Sequence, residues 1–156
     1  FYACTSLMGL RSPVMGEMFD AATLADLHAR GHEIGAHSHS HLDCAKHNLS
    51  MVERDIGENL VALSEAGHSA TVSAFAYPYG DASSASPRDF RLASDAGCEA
   101  AVTTRKGLIF SGHQDHLTAL PRLSLAGQFQ KLRYVDVLLS GSAFALWNGF
   151  RQVNVA

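Results

Sequence analysis

Three of the chain's nine histidines fall within the five residues His37 to His41. The run around them is Gly31-His32-Glu33-Ile34-Gly35-Ala36-His37-Ser38-His39-Ser40-His41. Neutral imidazole is the commonest protein ligand for zinc-like metals. Two backbone geometries would make the cluster converge. On a helical turn, His37 and His41 at i and i+4 share one face. On a strand, His37, His39 and His41 all point the same way. The alternative is a solvated polar loop, and the context weighs against it. Gly31 closes a helical pattern, Glu33 to Ala36 reads as a short strand, and the histidines begin where that strand ends. In α/β proteins, ligands gather at the carboxyl ends of strands. A second stretch, Tyr77-Pro78-Tyr79-Gly80-Asp81, is a turn by its Pro and Gly. Cys44, three residues after His41, could add a thiolate ligand, although a small buried thiol is its commoner role.

The elements that must position these residues follow from hydrophobic spacing. Phe1 to Thr5 is a candidate strand of aromatic and small apolar residues, and Ser6 to Gly16 reads as a loop. Asp20 suits the N-cap of a helix carrying Leu24, Leu27 and Ala29 and stopping at Gly31. In the His-rich turn, Ser38 could cap a short helical segment. Ser50 with Glu53 three residues on fits a capping box. Val52, Ile56, Leu60 and Leu63 then make an apolar stripe that ends at Gly67, the pattern of a core-facing helix. Thr71 to Tyr77 reads as a strand. Ser86-Pro87 opens a helix with Phe90, Leu92 and Ala93 that stops at Gly97. Glu99 to Thr103 is a strand, Lys106 to Thr118 a long polar loop, and Ala119 to Leu125 a short strand around Pro121. A helical pattern returns from Phe129 to about Leu146, with a break expected at Ser140-Gly141-Ser142. Strands alternating with helices predict parallel strands joined by right-handed crossovers. The His-rich turn and the Tyr77 turn end successive βα units, so both should open on one face.

The bulk properties narrow the function. The 156 residues suit one domain, and 47% hydrophobic against 17% charged residues allows a sizeable core. A net charge of -3 offers no basic field for nucleic acid or an anionic membrane. No stretch approaches the roughly 20 apolar residues of a membrane span. Three cysteines with no C-x-x-C pair argue against a disulfide framework. The chain opens without Met inside an apolar run, from which we expect its natural N-terminus to lie upstream; compartment therefore stays open.

The His-rich run resembles the second motif of the polysaccharide deacetylases (the NodB-homology domain of carbohydrate esterase family four). That motif, His-[Ser/Thr]-x-x-His, is matched by His37, Ser38 and His41. Phe75-Ala76-Tyr77-Pro78-Tyr79-Gly80 is similar to the third motif, in the form found in the poly-N-acetylglucosamine and chitin deacetylase branch. Thr103-Thr104-Arg105 and Leu120-Pro121-Arg122 also look like that branch. The resemblance implies an α/β fold, a distorted (β/α) barrel of about seven strands, here without its N-terminal strand or strands. It implies a divalent metal ion, usually zinc, held by His37 and His41, with Ser38 orienting their turn and Arg122 buttressing an acidic motif. Such a metal would activate a water to attack an acetyl group, with the Tyr79 backbone N–H at the oxyanion and Tyr77, Pro78 and Tyr79 lining the sugar site. The implied partner is an N-acetylated polysaccharide or oligosaccharide, and the product is acetate.

Two family features depart from this sequence. The acidic first motif, Thr-Phe-Asp-Asp-Gly, which supplies a metal ligand and the general base, is not found and would lie before Phe1. The late Leu-x-His motif that supplies a general acid is also not found. His113 and His116 in the long loop, and Asp43, Asp81 and Asp115, are the groups that could approach the site instead. The alternative to an enzyme is a non-catalytic sugar- or metal-binding module of the same fold.

Overall fold

The computed structural model describes residues 1–13, 16–66, 72–125, 127 and 130–155. Small apolar residues build the centre of the fold. In chain order the strands are β1 (Tyr2–Ala3), β2 (Arg11–Ser12), β3 (Gly16–Glu17), β4 (Gly35–Ala36), β5 (Ala74–Ala76) and β6 (Ala100–Val102). Four of them form a parallel sheet in the order β1-β4-β5-β6, while β2 and β3 pair as a separate antiparallel hairpin. Ala3, Ala36, Phe75, Ala76 and Ala101 are all buried. Such strands are covered on both faces, which is why they read as continuous apolar runs rather than alternating ones.

Register matters more than strand length here. Ala3 lies opposite Ala36, Ala36 opposite Phe75, and Ala76 opposite Val102. The strands therefore end nearly level, and the segments that follow them leave from one edge of the sheet. The expected parallel α/β order and the shared opening are both observed. Among the described residues the parallel sheet has four strands.

The helices are α1 (Ala21–Ala29), α2 (Leu49–Glu65), α3 (Pro87–Asp95), α4 (Leu132–Leu139) and α5 (Ser142–Trp147). Asp20 caps α1 as expected, its carboxylate accepting from the Thr23 N–H at 2.8 Å. In α3 the Asp89 carboxylate accepts from the backbone N–H and the hydroxyl of Ser86. The break between α4 and α5 falls at Ser140-Gly141, where Gly141 has φ +73°, a conformation open to glycine at little cost.

Four local expectations change. The cap of α2 is Asn48, whose Oδ1 accepts from the Met51 N–H at 3.0 Å; Ser50 lies inside the first turn and donates to the same oxygen. The Ala119 to Leu125 strand shrinks to one bridge, Val102 with Leu120, because Pro121 has no N–H to continue the ladder. The polar loop from Lys106 contains two 3-10 turns, Ser111–Asp115 and Leu117–Ala119, and buries His113 rather than solvating it. Ser38 caps no helix: residues 39–43 are non-helical, and the next helical turn is a 3-10 turn at Cys44–Lys46. The expected helix stop at Gly67, strand start at Thr71 and helix start at Phe129 lie outside the described residues.

Candidate active site

β4 ends at Ala36, and the chain then turns through two residues with left-handed backbone, Ser38 (φ 62°) and His41 (φ 57°). Neither the helical nor the extended geometry applies. This tight turn brings the imidazoles of His37 and His41 together edge to face, with ring centroids 5.0 Å apart. His39 points elsewhere, its Nδ1 lying 2.8 Å from the Thr5 hydroxyl beyond β1. The buried Ser38 hydroxyl spans the turn and accepts from the Leu42 N–H at 3.1 Å.

His37 is held on two sides. Its Nδ1 lies 2.7 Å from the Ala76 carbonyl oxygen at the end of β5. A carbonyl only accepts, so Nδ1 carries the proton of the neutral ring and Nε2 keeps its lone pair. Burial pushes its imidazolium down, the nearby charges of His41 and Arg122 add to this, and the Ala76 hydrogen bond opposes it. The balance favours neutral imidazole, the form that ligates metal.

The second expected stretch divides into an inside and an outside. Tyr79 (φ 61°) is 57% exposed and its ring meets His41 edge to face at 5.0 Å. Tyr77 and Pro78 do not line a surface and are corrected to core residues. The Tyr77 ring is fully buried between Phe75 and Phe90, and its hydroxyl donates to the Thr118 carbonyl at 2.8 Å. Pro78 is fully buried behind it. Gly80 (φ +70°) makes the turn possible: a Cβ there would lie 2.9 Å from the Thr104 nitrogen. The Thr104 N–H and hydroxyl donate to the carbonyls of Gly80 (2.8 Å) and Tyr79 (2.6 Å), tying the turn to the end of β6. Arg122 is half-buried and donates from Nε to the Thr103 carbonyl at 2.9 Å.

A cavity of about 380 Å³ opens beside the imidazoles. His37, Ser40 and His41 form its polar side, and Tyr2, Leu7, Met8 and Phe19 are among its apolar walls. The Cys44 thiol is buried in the core and pushed up to about 12, chiefly by burial. Asp43 pairs with Lys46 at 2.8 Å. Asp81 accepts from the N–H and hydroxyl of Ser83, and these bonds hold its carboxyl below the usual range. Asp115 and His116 line a different hollow, beside α3.

The histidine pair fits a metal. The ring spacing of 5.0 Å is that of an ordinary edge-to-face contact, so the fit rests on the chemistry of two neighbouring imidazoles, the commonest ligands of zinc-like metals. Among the described residues no third His, Cys, Asp or Glu completes a ligand set. Two residues absent from the sequence reading hold the turn. Asn59 accepts from the His37 N–H at 2.9 Å, and Asp55 accepts from the His39 N–H at 2.9 Å. Their signal was two polar residues on the apolar face of α2, at 55 and 59, among Val52, Ile56 and Leu63.

Comparison with known proteins identifies the family. The family model described as polysaccharide deacetylase matches residues 11–101, more than half of the chain and both turns of the site. The chain belongs to the polysaccharide deacetylase family. No curated protein matches it in sequence. Its fold is similar to that of the Streptococcus pyogenes deacetylase PplD, solved with acetate (TM-score 0.69, 15% identity), over 87% of this chain and 56% of that one. It is similar to IcaB from Ammonifex degensii (TM-score 0.64, 17% identity), over 89% of this chain and 59% of that one. A polysaccharide deacetylase from Bacillus cereus gives a TM-score of 0.67 at 18% identity, over 81% of this chain and 38% of that one. The chain thus spans well under two thirds of the length of these structures.

Proposed function

We propose that this chain carries the histidine half of the active site of a metal-dependent carbohydrate deacetylase. The reaction is hydrolysis of an N-acetyl (or O-acetyl) group on a polysaccharide, releasing acetate. The observation that carries this is the His37–His41 pair at a strand end, with the Nδ1 of His37 committed to the Ala76 carbonyl. His37 and His41 would hold a divalent ion, zinc first among the candidates. When bound, the ion supplies Lewis-acid chemistry, lowering the pKa of a water and polarising the acetyl carbonyl.

The chain's own groups do the rest. Ser38 keeps the turn closed so that both imidazoles face one point. The exposed Tyr79 packs its ring on His41 and offers its backbone N–H to the carbonyl oxygen as negative charge develops there. Its ring is also the aromatic surface open to a sugar. Arg122 brings positive charge near His37 and would steady a carboxylate arriving beside it. The reading needs a carboxylate ligand and a general base in addition to the two histidines. It also extends the four parallel strands to a distorted (β/α) barrel.

The test is metal content and acetate release from an N-acetylglucosamine oligomer, using the full-length protein. One divalent ion per chain and released acetate, both lost in His37→Ala and His41→Ala, would support the reading. A bound ion with no acetate would point to a binding module of the same fold. No ion in the full-length protein would sink the metal reading.

A further inference from the structure

Helix α2 reads as a core helix, yet it places two polar side chains against the metal-site turn. Asn59 is fully buried and Asp55 nearly so. They are one helical turn apart on the face that also carries Val52, Ile56 and Leu63. Burying an amide and a carboxylate among these residues is costly unless every polar atom finds a partner. The partners are all in two places: the end of β1 and the His-rich turn.

Asn59 closes a ring of bonds at the sheet edge. Its Oδ1 accepts from the His37 N–H at 2.9 Å. Its Nδ2 donates to the Ala3 carbonyl at 3.1 Å and to the Thr5 hydroxyl at 3.0 Å. That hydroxyl, having accepted from Asn59, is left with a proton to donate to His39 Nδ1, 2.8 Å away. Asp55 grips the next residues. One carboxylate oxygen accepts from the His39 N–H at 2.9 Å, the other from the Ser40 N–H at 3.1 Å and from the Ser40 hydroxyl. Between them, two side chains bind the backbone at 37, 39 and 40, the segment that separates the two metal-ligand candidates.

This segment has something to be held against. Ser38 and His41 sit in the left-handed region, where a residue with a Cβ is disfavoured. Left alone, the turn would relax to an extended path, and the two imidazoles would separate. We propose that Asp55 and Asn59 are positioning residues of the metal site: their hydrogen bonds hold the strained turn that keeps His37 and His41 in register for one ion. The inference rests on the metal reading above. It adds a requirement that neither histidine meets by itself. Outer partners of this kind commonly change metal affinity by about 10–100-fold.

The experiment measures Co²⁺ and Zn²⁺ affinity of the full-length protein, the visible Co²⁺ spectrum, and the melting temperature of the metal-free form. Variants are Asp55→Asn and Asn59→Leu, with His37→Ala as control, all read well below their melting points. Ser40→Ala removes one of the bonds to Asp55 at an exposed position, and serves if either buried variant fails to fold. The expected result is affinity weakened by about tenfold or more in Asp55→Asn and Asn59→Leu, with an altered Co²⁺ spectrum, and a smaller loss in Ser40→Ala. Histidine side-chain NMR of the metal-free variants should show changed His37 and His41 environments. Folded variants that melt earlier but bind Co²⁺ with unchanged affinity and spectrum would overturn the proposal and leave the metal site standing. If His37→Ala binds as tightly as the unaltered protein, the metal reading itself fails and the proposal falls with it.

Discussion

His37 and His41 are held differently, and substitutions should separate them. His37 has its ring bonded to Ala76 and its N–H to Asn59. His37→Ala should therefore cost about 1 kcal/mol of stability, the worth of one hydrogen bond, besides losing metal. His41 has the backbone strain instead. His41→Gly should be more stable than His41→Ala by about 1 kcal/mol, read from urea midpoints, while both lose metal equally. Gly80→Ala should cost at least about 1 kcal/mol and slow acetate release by moving Tyr79 off His41, because the new Cβ meets the Thr104 nitrogen in a left-handed turn. The histidine pair was legible from spacing and from its place after a strand. The roles of Tyr77 and Pro78 were not, since a rigid aromatic turn has the same composition whether its rings face solvent or core. Asp55 and Asn59 were hidden for a related reason. Their spacing puts them on the core face with Val52, Ile56 and Leu63, but which turn they bind there belongs to the fold and not to the helix.

Helix ends were the most legible elements, because a cap is local chemistry. The boundary of α2 still moved by two residues, from Ser50 to Asn48, since both suit a cap and only backbone geometry decides. Asn48→Ala should lower stability by about 1 kcal/mol, whereas Ser50→Ala, an exposed site within the first turn, should change it by less than about 0.5 kcal/mol. Thermal melts of the pair would settle which residue caps. Strands were legible in order but not in length. Most ladders stop where pairing with a neighbour ends, a property of the sheet rather than of any one segment, whereas the one at Leu120 stops because Pro121 has no N–H.

At the scale of the molecule, buried weak acids make stability depend on alkaline pH. The thiols of Cys44 and Cys98 are pushed up by burial from 9.0 to about 12 and about 11, and burial also raises the Tyr77 phenol. Below pH 9 these groups are neutral in folded and unfolded chains alike. Above it the unfolded chain releases protons that the folded chain retains, so stability falls as pH rises towards 11–12. Each such thiol contributes up to about 1.4 kcal/mol per pH unit in that window. Urea midpoints should hold level from pH 8 to 9 and fall above it, and the fall should be shallower in Cys98→Ala. The parallel order of the sheet was readable from alternation; its level strand ends were not, since register belongs to pairs of strands. Those ends have a further consequence for synthesis. Asn59 reaches back 56 residues to Ala3, and His37 reaches forward 39 residues to Ala76. A chain growing from the ribosome therefore has both histidines long before it has the Ala76 carbonyl that orients one of them. The orientation of the His37 ring by Ala76 thus waits until β5 is out and docked.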